Sequence, residues 1–268
     1  MQKRKIILYI TLLIYVIVIM GVSFVNKNYN NVFMCVLTLL LFLIPSIIEK
    51  RLNVELPTVL ECVIILFIFS AEILGEVSGY YIKIPFWDSL LHTFNGFIMA
   101  AIGFSMIDIL NNSPKLHFNM SPIFVAFVSF CFSMTIGVLW EFFEYGMDFF
   151  TLSDMQKDLI VTGVSSVTLN PQLVNDSVII SNVSKTVVEG SVNGVATQTV
   201  IEGGYLDIGL YDTMNDLIVN CIGALSFSFA GILYIKGRGR LAKNFIPQLK
   251  TNESEKSSES DDADNDKI

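Results

Sequence analysis

The sequence predicts an all-α membrane protein, a bundle of six transmembrane helices with a small β-rich extracytoplasmic insertion. Three observations predict it. Of 268 residues, 53% are hydrophobic and 16% charged, a balance too apolar for an ordinary soluble domain. The apolar residues gather in six runs of about twenty, the length a helix needs to cross roughly 30 Å of hydrocarbon. Between the fifth and sixth runs the pattern changes to short β-branched segments.

The spans fall at Ile6–Val25, Val32–Ile48, Thr58–Tyr81, Trp87–Leu110, Ser121–Phe150 and Tyr211–Ile235. Pro45 interrupts the short second span, because proline brings no amide hydrogen and collides with the preceding turn. Basic residues set the orientation: Lys3, Arg4 and Lys5, Lys50 and Arg51, Lys115, and Lys236, Arg238, Arg240 and Lys243 flank alternate ends. By the positive-inside rule both termini are expected in the cytoplasm of a bacterial cell, with the chain multi-pass in the inner membrane. The domains are then 1–150 for the first five spans, 151–210 for the insertion, 211–240 for the sixth span and 241–268 for an acidic cytoplasmic tail. Residues Thr251–Ile268 carry −5 of the net charge of −8; with only Ala263 and Ile268 apolar, that stretch lacks a core to bury and reads as disordered.

Cys35, Cys62, Cys131 and Cys221 lie inside spans without a CxxC pair, which predicts buried free thiols. The run Lys236–Lys243 is a stop-transfer flank, and no nucleic-acid partner is expected. Within the insertion, Asp158–Ile208, β-branched runs are separated by turn signals at Asn170–Pro171, Asn193–Gly194 and Gly203–Gly204. About fifty residues is marginal for an independent fold, so the insertion is expected to pack on the helices as a lid or on a protein partner.

The chemistry concentrates in intramembrane polar residues. The fifth span carries Glu141, Glu144 and Asp148 near its C-terminal end, where carboxylates are costly both for burial and for the helix dipole. The fourth presents Asp88 and His92, the sixth Asp212, Asp216 and Asn220, and the third Glu72 and Glu76, all spaced to share helix faces. At about 1.5 Å per residue, His92, Glu144, Asp216 and Glu76 each fall roughly 7–9 Å from the outer ends of their helices. Four polar stripes thus reach one depth. Crowded carboxylates in low dielectric require protonation or a cation, and oxygen ligands with one imidazole suit magnesium, manganese, calcium or zinc. His92, Glu144 and Asp216 are the candidate metal ligands, Glu141 a ligand or general base, and Asp88, Asp212, Glu76 and Asn220 their support.

Each residue also has a plainer reading. Asp88 and Asp212 fit helix caps, Trp87 and Trp140 fit interfacial anchors, and Glu61 fits a side chain reaching for the membrane edge. Gly96 and Gly223 fit close helix packing. Glu141 and Glu144 have the weakest plain reading, since no cap uses an acid at a helix C-terminus.

The blocks WDSLLHTFNGF (Trp87–Phe97), GVLWEFFEYGMD (Gly137–Asp148), DMQKD (Asp154–Asp158) and GLYDTMNDLIVNCIGAL (Gly209–Leu225) resemble the YjdF-type family of uncharacterised bacterial inner-membrane proteins. That resemblance places the family's polar pattern on Asp88, His92, Glu141, Glu144, Asp212 and Asp216. A weaker likeness to VanZ-like proteins, through Asp216, Asn220 and Gly223, implies a cell-envelope context; Glu144 stands where that pattern has glutamine.

The leading expectation is a metal-dependent hydrolase or transferase acting on a lipid-linked envelope substrate. The alternatives are a proton- or cation-coupled transporter, for which the halves lack an internal repeat, and a non-enzymatic membrane protein whose insertion binds a partner.

Overall fold

The computed structural model describes residues 2–111, 120–172, 174–237, 239 and 242–249. Among them six helices are long and apolar enough to cross a membrane: Lys3–Val25, Tyr29–Arg51, Thr58–Val77, Trp87–Asn111, Pro122–Thr151 and Leu210–Ile235. The chain divides into two compact units, Met1–Gly137 with Val219–Ile268, and Val138–Ile218.

In the first unit, α1 (Gln2–Val25) is followed by α2 (Tyr29–Leu41), whose first turn is capped by Asn28 accepting the Asn31 N–H at 3.1 Å. The second span is two helices, α2 and α3 (Ile44–Leu52). The break at Phe42–Leu43 follows from Pro45 in the first turn of α3, where a missing amide hydrogen costs nothing. Next, α4 (Thr58–Phe69) runs into a π-helical stretch, Ser70–Val77, closed by the Ser78 N–H on the Ile73 carbonyl at 2.9 Å. Leu12, Val16, Cys35, Phe42, Ile65 and Ile73 form the core of this part. Glu61 does not reach for the membrane edge: it is buried at 6% exposure and ion-paired with Lys5 of α1. The pairing is the less costly arrangement, because an unpaired buried charge is penalised by several kcal/mol.

After the short α5 (Tyr80–Lys83) comes α6 (Trp87–Asn111). It packs against the part of α8 (Leu210–Ile235) that belongs to the same unit, around Phe104, Phe227 and Ala224. Two glycines set the distance. A Cβ on Gly96 would run into the Asn220 carbonyl, and one on Gly223 into the Thr93 carbonyl. Residues 242–249, included in the tail by the sequence reading, are folded. A 3-10 turn, Ala242–Asn244, leads to β8 (Gln248–Leu249), antiparallel to β1 (Val54–Glu55). Ala242 and Ile246 are buried, and the Phe245 ring meets Phe97 edge-on at 5.0 Å. Three apolar side chains are enough to hold the segment down, and hydropathy over a long window misses them. Lys115, Arg238, Arg240 and the acidic stretch 251–268 lie outside the described residues.

The second unit holds the C-terminal part of α7 (Pro122–Thr151), the first turns of α8 and the predicted β-rich insertion. Its strands form two-stranded antiparallel ladders: β2 (Ile160–Val161) with β7 (Tyr205–Leu206), β3 (Val164–Ser166) with β4 (Val178–Ile180), and β5 (Lys185–Val192) with β6 (Val195–Glu202). Asn193 and Gly194, at φ 52° and 79°, close the β5–β6 hairpin; positive φ at both positions matches the twist of a type I′ turn. Asp207 anchors the return to the membrane. Its carboxylate accepts N–H groups from Leu159 at 2.8 Å, Tyr211 at 2.7 Å and Gly209 at 3.4 Å, joining the start of β2 to the first turn of α8.

Two outcomes are expected. Gly223→Val should force α6 and α8 apart at an overpacking cost of about 1–3 kcal/mol. Gly21→Ala, where a Cβ meets nothing within 4 Å, should leave the melting temperature in detergent unchanged or raised. The second concerns pH. Burial raises the Asp207 pKa, but backbone N–H donations, from Leu159, Tyr211, Gly209 and Asp207 itself, outweigh it and hold the group below its ordinary value. Its contribution to stability is therefore present above the ordinary carboxylate range and lost as pH falls through the lowered value. Hydrogen exchange of residues 159–211 should speed up in acid, and Asp207→Asn should show the faster exchange already at neutral pH.

Candidate acidic and histidine site

The helix crossing in the first unit has a polar interior. Asn220 of α8 is fully buried; it accepts from Asn95 Nδ2 at 3.1 Å and turns its own Nδ2 toward the Met134 sulfur at 3.6 Å. Its side chain sits against Gly137 of α7, where a Cβ would be 2.9 Å from Nδ2. From α7, Ser133 donates to the Gly96 carbonyl at 2.8 Å and Ser129 to the Ala100 carbonyl. In this part of the molecule α7, α6 and α8 are joined by hydrogen bonds as well as by packing. Such bonds contribute about 0.6 kcal/mol each between membrane helices.

One turn from Gly96 on α6 stands His92, buried at 7% exposure, with its Nε2 3.6 Å from Asp88 Oδ1. That distance exceeds a direct hydrogen bond between these two atoms; the two residues lie one turn apart on the same helix face. Asp88 itself is half-buried at the start of α6.

In the second unit Glu141, Glu144 and Asp216 are all buried, at 4%, 8% and 1% exposure. Trp140 does more than anchor at an interface: its indole N–H donates to Glu144 Oε1 at 2.8 Å along α7. Asp148, the third member of the stripe, has a different task. It accepts the Met155 and Gln156 N–H groups at 2.6 and 2.8 Å and the Ser153 hydroxyl at 2.9 Å. Asp212 accepts the Lys157 N–H at 2.8 Å, and Gln156 donates through its side chain to Thr213. The DMQKD block is thus a loop whose backbone amides are taken up by acids on α7 and α8. Asp212 ties that loop to α8 rather than serving only as a helix cap.

Glu72 and Glu76 fall within the π-helical stretch, Glu72 half-buried and Glu76 exposed. A cavity of about 350 Å³ in the second unit is lined by Tyr145, Asp148, Ser153, Asp154, Asp158 and Ile208 among others, beside the DMQKD loop. Burial, then the charges of Asp154, Asp207 and Asp148, push the Asp158 carboxyl above its ordinary value. Asp207 escaped the sequence reading. Its signal was an aspartate four residues ahead of a helical tyrosine across a glycine, a helix-start pattern.

A family of membrane proteins, described as "Predicted membrane protein (DUF2238)", matches residues 7–237. An uncharacterized protein of Thermotoga maritima is 29% identical over 104 residues, covering 39% of this chain and 52% of its own length. The chain thus spans about half the length of that relative. No solved structure matches. The family match extends over all six apolar helices and the insertion between the last two, and the chain belongs to the DUF2238 family of membrane proteins.

Proposed function

We propose that this membrane protein holds a divalent cation with His92, Glu144 and Asp216 and uses it for hydrolysis or group transfer on a lipid-linked substrate. Burial is the observation that carries the reading. His92, Glu141, Glu144 and Asp216 are each less than a tenth exposed, within helices apolar enough to span a membrane. Ionised side chains are expensive there and mark functional sites. Asp88, His92 and Asp216 are acidic and imidazole side chains of the kind that can hold a metal ion, and so is Glu144. Helix register adds support: His92 is one turn from Gly96, Glu141 one turn from Gly137, and Asp216 one turn from Asn220. Gly96, Gly137 and Asn220 are the residues at which the three helices meet.

Carboxylates with one imidazole suit magnesium, manganese, calcium or zinc. A bound divalent ion supplies a Lewis acid for a phosphoryl or carbonyl oxygen and lowers the pKa of a bound water. The chain's residues do the rest. Glu141 is the candidate to take a proton from water, Asp88 orients the His92 ring, and Trp140 fixes the Glu144 carboxylate. The basic residues Lys3, Arg4, Lys5, Lys50 and Arg51 favour both termini in the cytoplasm. The polar turns then lie toward the outer leaflet of the inner membrane, a depth that suits the headgroup of a lipid-linked molecule. The likeness to VanZ-like proteins accords with that envelope setting.

Metal content of detergent-purified protein tests the reading. Near-stoichiometric divalent metal is expected in the parent and its loss in Glu144→Gln/Asp216→Asn. Chelation should lower the melting temperature of the parent but not of the variant, since a ligand stabilises only the state that binds it. Metal-free parent protein under replete conditions, with melting indifferent to chelator, would overturn the proposal in favour of protonated carboxylates serving transport.

A further inference from the structure

Among the described residues the β5–β6 hairpin has an open edge along Lys185–Ser191, ahead of which the Val183 N–H donates to the Thr162 carbonyl at 2.8 Å. β5 and β6 pair only with each other among the described residues. Partners in the ladder run from Lys185↔Glu202 through Val187↔Val200 and Glu189↔Gln198 to Val192↔Val195. One step beyond Lys185, the Gly203 N–H donates to the Ser184 carbonyl at 2.8 Å. Antiparallel pairs alternate between those that exchange hydrogen bonds and those that do not. Residues 184, 186, 188, 190 and 192 therefore turn their amides toward β6. Lys185, Val187, Glu189 and Ser191 turn theirs outward. An isolated two-stranded ribbon is marginal in water, and an unprotected edge is a template for another strand.

We propose that this edge binds a second copy of the chain, β5 against β5, to form a continuous four-stranded antiparallel sheet. The charges choose the occupant and the register. With Val187 on the two-fold axis, Lys185 of each copy stands opposite Glu189 of the other. Both copies then present outward-facing amides at all three positions. Shifting the axis to Val188 also aligns the amides, but it sets Glu189 against Val187 and leaves Lys185 opposite Ser191. Opposite charges in directly facing positions stabilise a ladder, and like charges destabilise it.

The side chains agree with the same register. Val187 is 45% exposed and its ladder partner Val200 is 47% exposed. Pairing on Val187 lines up Val200, Val187, Val187 of the second copy and Val200 of the second copy in one row across four strands. Glu202, Lys185, then Glu189 and Gln198 of the second copy make the next charged row. The β6 edge has no such match: Glu202 is its one charged residue.

Disulfide trapping in native membranes tests the proposal. Directly paired residues have Cα atoms about 5.5 Å apart, within the reach of a disulfide. Val187→Cys should give a covalent dimer under mild oxidation, while the parent, Val200→Cys and Ser191→Cys should not. Adding Lys185→Glu should lower the Val187→Cys dimer about tenfold, and adding Lys185→Glu with Glu189→Lys should restore it. Equal trapping at all three positions, no trapping at Val187→Cys, or a dimer indifferent to both charge variants would overturn it.

Discussion

Within the first unit, the close approach of α6 and α8 is the constraint on which the rest depends. Lipid is as apolar as the helices, so burial of apolar surface gives little reason for two spans to associate; close backbone contact and hydrogen bonds must provide it. Gly96 and Gly223 remove the side chains that would hold the backbones apart, each admitting a carbonyl where a Cβ would stand. Asn220 then fills the polar space between them, bonded to Asn95 and packed on Gly137. Ser129 and Ser133 extend the bonding to α7. His92, one turn from Gly96 on α6, stands next to this crossing.

The second unit solves another problem with the same residue type. A chain leaving one span and returning to another exposes backbone amides, and a buried amide must find an acceptor. Asp148, Asp212 and Asp207 accept six backbone N–H groups between them, from residues of the DMQKD loop, the start of β2 and the start of α8. Carboxylates near the ends of membrane helices thus divide into two kinds. Those bonded to backbone organise the connection, and the deeper ones, Glu141, Glu144 and Asp216, are buried inside spans.

Much of this was legible in the sequence because hydropathy over twenty residues is a strong signal. The six spans followed from it; the break at Pro45, the β-rich insertion and the close-packing glycines at 96 and 223 followed from residue type. The π-helical stretch at Ser70–Val77 left no periodic trace, since one altered turn barely changes composition. The folded segment 242–249 depends on Ala242, Phe245 and Ile246, too few apolar residues to stand out beside a basic flank. The Lys5–Glu61 pair joins residues far apart in the chain, and spacing on one helix cannot reveal it. Among the acids, periodicity placed Asp148 and Asp212 on the same stripes as Glu144 and Asp216, yet only hydrogen bonding separates their tasks. His92, Glu141, Glu144, Asp216 and Asn220 were readable as polar residues inside spans and are buried, whereas Glu76, expected at the same depth, is exposed; the backbone-bonding role was not readable, because it depends on where a loop turns.

In the proposed site an imidazole and carboxylates within the spans hold one cation together. Pulsed electron paramagnetic resonance of manganese-loaded protein tests it most directly, because coupling to an imidazole nitrogen reports the first coordination shell. The chain has two histidines, so a His117→Gln background leaves His92 as the one source of that coupling. Nitrogen coupling is expected from tightly bound manganese, and its loss in His92→Gln. Manganese bound with oxygen ligands alone, or coupling that survives His92→Gln, would contradict it.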